Sequence, residues 1–264
     1  MYNNNKSLLK LLYELRSRLI RICIVIVIVI LVCMTLGVTA IDFYGYHFLI
    51  LYPDAFNSIS AQLISQIRDD LLPNDVNLIQ VTPGQAFTAQ VYVSIIVGIV
   101  SGLPVIIWEL LAFLNPALHH SEKKVIKRII APVIALFVLG CLFAYFIVIP
   151  YTLDFLYNYG QSMGVLSFFE VSPFITFVLN LLIVFGFTYQ LPIIMWAVTR
   201  TGLVKPDFWK KNLRYVLIFV IILGAVITPD GSGITMWFIV GPMMLLYVIG
   251  ITIIRIDQGI LEFN

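Results

Sequence analysis

Six long apolar runs constrain this chain more than any other feature: approximately Leu19–Ile41, Val91–Leu114, Ile129–Ile149, Phe174–Val198, Tyr215–Thr228 and Ile234–Ile254. Most reach the roughly 20 residues that an α-helix needs to cross about 30 Å of hydrocarbon. A transmembrane barrel would instead alternate polar and apolar residues over segments of about 10. A mean hydropathy of +1.00, with 61% hydrophobic and 11% charged residues, excludes an ordinary soluble domain, in which about 25% of residues are charged. The predicted fold class is all-α, a polytopic membrane protein of six transmembrane helices.

The basic residues fall on alternate connections. Lys6, Lys10, Arg16, Arg18 and Arg21 precede or open the first run. Lys123, Lys124, Lys127 and Arg128 separate the second from the third, Arg200, Lys205, Lys210, Lys211 and Arg214 separate the fourth from the fifth, and Arg255 closes the sixth. The intervening connections carry Arg68 against Asp42, Asp54, Asp69, Asp70, Asp75, Asp154 and Glu170. Cytoplasmic loops hold the excess of Lys and Arg, so both termini are expected in the cytoplasm. The net charge of +2 then reflects topology and gives no reason to expect nucleic acid. Met1–Lys10 lacks the apolar region and cleavage site of a signal peptide, so the first span is expected to be an uncleaved anchor. Residues 1–264 are expected to form one membrane domain, with a cytoplasmic segment 1–18 and a first outer loop, 42–90, long enough for structure of its own.

Within that frame, Leu8, Leu11, Leu12, Leu15 and Leu19 recur at helical spacing, predicting an amphipathic turn at the cytoplasmic interface that runs into the first span. Ile59, Leu63, Ile64 and Ile67 predict a helix over Ser58–Asp70 along the outer surface, followed by turns at Pro73-Asn74-Asp75 and Thr82-Pro83-Gly84. The last two runs differ from the rest. The last two spans are expected to be short: Tyr215–Thr228 covers few residues for a span, and Gly241-Pro242 is expected to kink the sixth. No fixed-period repeat is present, and the two halves do not mirror one another, unlike inverted-repeat transporters.

The spans offer little chemistry. Glu109 lies about one turn before the end of the second run, and Asn180 and Gln190 are the strongly polar groups of the fourth. A small-molecule secondary transporter or channel is the alternative function, but it would need ionisable residues at membrane depth. An intramembrane enzyme would need paired Asp, Ser/Lys or His groups there. HExxH and Walker motifs are missing from the sequence, so neither enzymatic activity nor a cofactor or metal is expected. Cys23, Cys33 and Cys141 all lie inside apolar runs, which argues against a disulfide framework. Among the cytoplasmic acids, Glu14 and Glu122 each stand at a run boundary beside basic residues. On sequence alone they read more readily as solvated charges, Glu14 pairing with Arg18 at i,i+4.

A resemblance adds to this reading. Tyr13-Glu14-Leu15-Arg16-Ser17-Arg18-Leu19, Pro104–Glu122 (PVIIWELLAFLNPALHHSE), Gly140–Pro150 (GCLFAYFIVIP), Phe185–Pro192 (FGFTYQLP), Lys210–Tyr215 (KKNLRY), Ile227-Thr228-Pro229-Asp230 and Pro242 occur in order on the six-span frame. Together they resemble the TatC family, the multispanning signal-receptor subunits of twin-arginine protein translocases. The resemblance implies a site for paired signal-peptide arginines at Glu14 and Glu122, with Arg16 and Arg18 orienting the first carboxylate and Phe113 walling the site. It implies partner-docking or structural roles for Pro53, Phe87, Pro104, Gln190 and Asp230. Leu11, Gln190 and Val248 stand where this family often carries His, Glu and Glu. Also implied are single-span TatA- or TatB-like partners, self-association in the complex, contact with membrane lipid, the plasma membrane of a prokaryote, and translocation of folded cargo driven by the proton-motive force.

Overall fold

The computed structural model describes residues 2–43, 46–72, 76, 78–114, 120–164, 168–200, 202–228 and 233–262, with side chains apart from 2–11, 40–49, 110–111, 114–129 and 258–262. The fold is predominantly helical. Five helical segments are long and apolar enough to cross a membrane, Leu12–Thr35, Gln85–Glu109, Ile130–Ser162, Val171–Arg200 and Ile234–Asp257, and a shorter apolar helix covers Leu213–Ile227. The chain divides into two compact units, one of residues 1–70 and 80–134 and the other of residues 71–79 and 135–264.

The first unit begins with α1 (Tyr2–Thr35), a single helix that carries the interfacial leucines directly into the span. It ends earlier than the apolar run. Leu36–Ile41, expected to finish the first span, belong to strand β1 (Leu36–Phe43), which pairs antiparallel with β2 (Tyr46–Pro53) in the register Leu36↔Pro53 to Phe43↔Tyr46. The β-branched Val38, Thr39 and Ile41 favour a strand over a helix. Gly37 lets β1 pass close to the following loop, because a Cβ there would lie 2.5 Å from the Asn57 carbonyl oxygen. Asp54 N–H donates to the Thr35 carbonyl (3.0 Å), tying the end of the hairpin to the end of α1.

Helix α2 (Ile59–Leu71) follows, with Ser58 at its N-cap accepting from Ala61 N–H at 3.4 Å. The Gln62 amide donates to the Val38 carbonyl at 2.9 Å, so α2 is bonded to the hairpin. The expected turn at Pro73-Asn74-Asp75 lies outside the described residues. The turn at Thr82-Pro83-Gly84 is present, with Gly84 at φ +87°, and leads into α3 (Gln85–Leu114), which contains Pro104. Helices α1 and α3 pack closely. A Cβ on Gly98 would sit 3.2 Å from both Ile26 Cγ2 and the Ile26 carbonyl oxygen, the kind of approach that small residues allow between membrane helices.

Helix α4 (His120–Phe143) opens in the first unit and runs into the second. A π-helical turn, Ala144–Val148, and α5 (Ile149–Ser162) continue it, so this helical segment extends well past the Ile149 end of the apolar run. Pro150 supplies the cause of the π turn. Without an N–H it cannot take part in the regular ladder, and Ile149 N–H instead reaches the Ala144 carbonyl. The fourth run is divided into α6 (Val171–Thr188) and α7 (Leu191–Arg200) at Tyr189-Gln190. Two short strands, β3 (Leu78–Ile79) and β4 (Phe169–Glu170), pair in parallel. After α8 (Pro206–Lys211), helix α9 (Leu213–Ile227) is only 15 residues, about 22 Å at 1.5 Å per residue. Helix α10 (Ile234–Glu262) is continuous through Pro242, and its Ile234–Asp257 stretch of 24 residues is long enough to cross, so the sixth run is not short as expected and only the fifth is.

Candidate functional site

Near the N-terminal end of the first span, α1 presents Glu14, Arg18 and Arg21 on successive turns, and α3 brings Glu109 against them. Arg18 joins the two carboxylates. Its Nε and Nη2 both donate to Glu14 Oε1, at 3.2 and 2.7 Å, and its Nη1 donates to Glu109 Oε2 at 2.9 Å. The other Glu109 oxygen, Oε1, faces Arg21 Nε at 3.1 Å. Side-chain exposure is 36% for Glu14, 17% for Arg18 and 10% for Glu109. A carboxylate as enclosed as Glu109 would be costly without partners, and two guanidinium groups satisfy both its oxygens. The four side chains form a neutral set of two carboxylates and two guanidiniums.

Of the residues expected at a signal site, this arrangement brings Glu14 and Arg18 together. Arg16 points to the exposed side of α1 and forms no ion pair with a described residue. Phe113 is half-buried near the end of α3. Glu122 lies in the first turn of α4, and its side chain is outside the described residues. Elsewhere, Pro53 ends β2 and is exposed, Phe87 is exposed on the first turn of α3, and Pro104 is exposed within it. Gln190 is buried at the α6–α7 break, its amide donating to the Gly186 carbonyl at 3.4 Å. Asp230 is outside the described residues. Sequence reasoning noted Glu109 only as an isolated polar group and assigned Arg21 to topology alone. The available signal was depth: Arg21 lies in the first turn of the first run and Glu109 about one turn before the close of the second, the two run ends expected on the same side of the membrane.

A second polar cluster sits in the other unit, where α7, α8 and α10 meet. The Trp196 indole donates to Asp257 Oδ2 (3.1 Å), Arg200 reaches Asp257 Oδ1 (3.5 Å) and lies 5.1 Å over the Trp196 ring. The Trp209 indole donates to Thr199 Oγ1 and the Tyr247 hydroxyl to the Trp209 carbonyl, both at 2.8 Å. Each donor meets an acceptor within the cluster, so it fastens the α7–α9 connection to α10. Beside it, Val184, Phe187, Met195, Phe219, Met243 and Tyr247 help line an apolar groove of about 430 Å³. Among the described residues no three His, Cys, Asp or Glu side chains converge as metal ligands would.

The sequence model of the family described as Sec-independent protein translocase protein (TatC) matches residues 10–242. The chain belongs to the TatC family. It is 46% identical over 241 residues to the Sec-independent protein translocase protein TatC of Cenarchaeum symbiosum, covering 91% of each chain. With the TatC of Carboxydothermus hydrogenoformans it shares 30% identity over 204 residues, 77% of this chain and 81% of the relative. The crystal structure of the twin arginine translocase receptor TatC superposes with a TM-score of 0.77 at 28% identity, covering 94% of this chain and 99% of that one. Family and fold together make this a multi-pass membrane subunit of a twin-arginine protein translocase, as the sequence motifs implied. A six-span count depends on α9, an apolar helix shorter than the five segments long enough to cross.

Proposed function

We propose that this TatC chain is the receptor that binds the paired arginines of signal peptides on folded cargo, through a cytoplasmic site centred on Glu14 and Glu122, and that it nucleates assembly of the translocation site without catalysing covalent chemistry. The observation carrying this reading is the guanidinium already seated on Glu14. A half-exposed carboxylate that accepts two N–H groups from Arg18 has the position and chemistry to accept an incoming arginine. Arginine suits such a site better than lysine, because its planar fork can engage both oxygens of a carboxylate. Arg18 holds the Glu14 carboxylate in place before ligand arrives, and Phe113 walls the site.

In this reading residues 1–264 act as one six-span membrane domain in a prokaryotic plasma membrane, both termini in the cytoplasm. The partners are single-span TatA- or TatB-like proteins and further copies of the chain, and the proton-motive force drives the assembled complex. Pro53, Phe87, Pro104 and Asp230 serve docking or structure, and buried Gln190 serves structure. The test is binding of a fluorescent paired-arginine signal peptide to the purified chain in nanodiscs. Glu14→Gln and Glu122→Gln should each weaken binding by about 10- to 150-fold, the loss of one charge-assisted pair. Unchanged affinity in both variants would overturn the site.

A further inference from the structure

Glu14 is already paired within its own chain, with Arg18. Arg18 directs two N–H groups to the same oxygen, Oε1. A fork-on-fork pair from a ligand arginine needs both carboxylate oxygens, so full engagement of Glu14 requires Arg18 to leave Oε1. Glu109 provides for that departure. Its Oε2 already holds Arg18 Nη1 at 2.9 Å, and Arg21 holds its Oε1 at 3.1 Å. Glu109 sits one helix away on α3, 91 positions along the chain from Arg18, so its grip does not depend on Glu14.

Resting on the proposed signal site, we propose that Arg18 is a tethered competitor for Glu14 and that Glu109 is the positioning residue that retains Arg18 when a signal arginine displaces it. The neutral set of two carboxylates and two guanidiniums then admits a ligand only by exchange of one guanidinium for another. An incoming arginine can match the pair it replaces. A lysine ammonium, a point charge without the fork, cannot. Arg18 therefore raises the threshold for binding, and Glu109 lowers the cost of exchange by keeping the released guanidinium paired at the site, where an unpartnered half-buried charge would be unfavourable.

The experiment is a double-mutant cycle on the full chain in nanodiscs, read as affinity for a fluorescent paired-arginine signal peptide. Arg18→Gln should tighten binding by roughly 2- to 10-fold, the scale of a partly exposed ion pair. Arg18→Lys, which keeps the charge but not the fork, should fall between it and the parent chain, and it takes over the test if Arg18→Gln does not elute and melt like the parent. Glu109→Gln should weaken binding when Arg18 is present and change nothing in the Arg18→Gln background, a dependence that a merely structural role for Glu109 would not produce. The control is Glu14→Gln. If it loses binding while the Arg18 variants bind no tighter than the parent, the competitor is overturned and the signal site stands. If Glu14→Gln binds like the parent, Glu14 is no part of the signal site and this inference falls with it.

Discussion

Glycines at helix contacts set how closely the helices of the second unit approach, and their neighbours determine what a methyl group would cost. On Gly140 an added Cβ would lie 2.6 Å from the Phe185 carbonyl oxygen and 2.9 Å from the Tyr189 ring, whereas on Gly250 the nearest atom, at 2.8 Å, is the sulfur of Met195. A backbone carbonyl inside a helix cannot swing aside, but a methionine side chain can repack. Gly140→Ala should therefore cost about 1–3 kcal/mol, the range for overpacking, and Gly250→Ala clearly less; thermal unfolding in detergent compares the two. Tyr247→Phe removes the hydroxyl bond to the Trp209 carbonyl and should cost about 0.5–1.5 kcal/mol, seen in the same melts as a smaller shift than that of Gly140→Ala. Single residues were unevenly legible in the sequence. The pairing of Glu14 with Arg18 follows from i,i+4 spacing on one helix. The pairing of Arg18 with Glu109 depends on which turn of α3 faces α1, and that is fixed by close packing at Gly98 and Ile26, which local spacing does not encode.

Among the elements, the corner between β2 and α2 is organised by one carboxylate. Asp54 Oδ1 accepts from the backbone N–H groups of Asn57 (3.0 Å) and Phe56 (2.9 Å), and Oδ2 accepts from the Tyr52 hydroxyl at 3.2 Å. The Asn57 and Phe56 bonds, in that order, hold the Asp54 carboxyl below its ordinary value, because they favour the charged form. The sign of the pH dependence follows. A depressed folded pKa gives stability that is fully present above the unfolded value, near 4, and is lost as pH falls through the lower folded value. Acidification below about pH 4 should therefore loosen this corner, raising amide exchange at Phe56 and Asn57, and Asp54→Ala should abolish that pH dependence and raise exchange at neutral pH. Exchange that stays slow in Asp54→Ala would show that the hairpin holds the corner without the carboxylate. The helices were legible as elements wherever an apolar run was long. The hairpin was not, because Leu36–Ile41 extend the first run without a polar break, and hydropathy cannot separate a strand from the end of a helix when both are apolar. The breaks at Pro150 and at Tyr189-Gln190 were marked in the sequence by proline and a polar pair, but whether a helix kinks, widens or divides depends on the packing around it.

For the molecule as a whole, the distribution of charge and the lengths of the helices bear on the same question from different directions. Five segments of 24 to 33 residues satisfy the length needed to span, and α9, at about 22 Å, falls short of a hydrocarbon core of about 30 Å. An odd number of crossings would place the termini on opposite sides. On the proposed topology the basic residues before α1 and Arg255 near the end of α10 stand on the same side by the positive-inside rule, and α9 then has to cross. A span of this length is accommodated by local thinning of the bilayer or by snorkelling of flanking residues, and Lys210, Lys211 and Arg214 stand at its start with side chains able to reach the interface. Reporter fusions after Ala117 and after Val204 should accordingly read cytoplasmic and one after Asn74 external. A fusion at the C-terminus should also read cytoplasmic, and it is the decisive one. An external C-terminus beside a cytoplasmic Val204 would mean that α9 lies in the interface without crossing, and the six-span frame would give way to five.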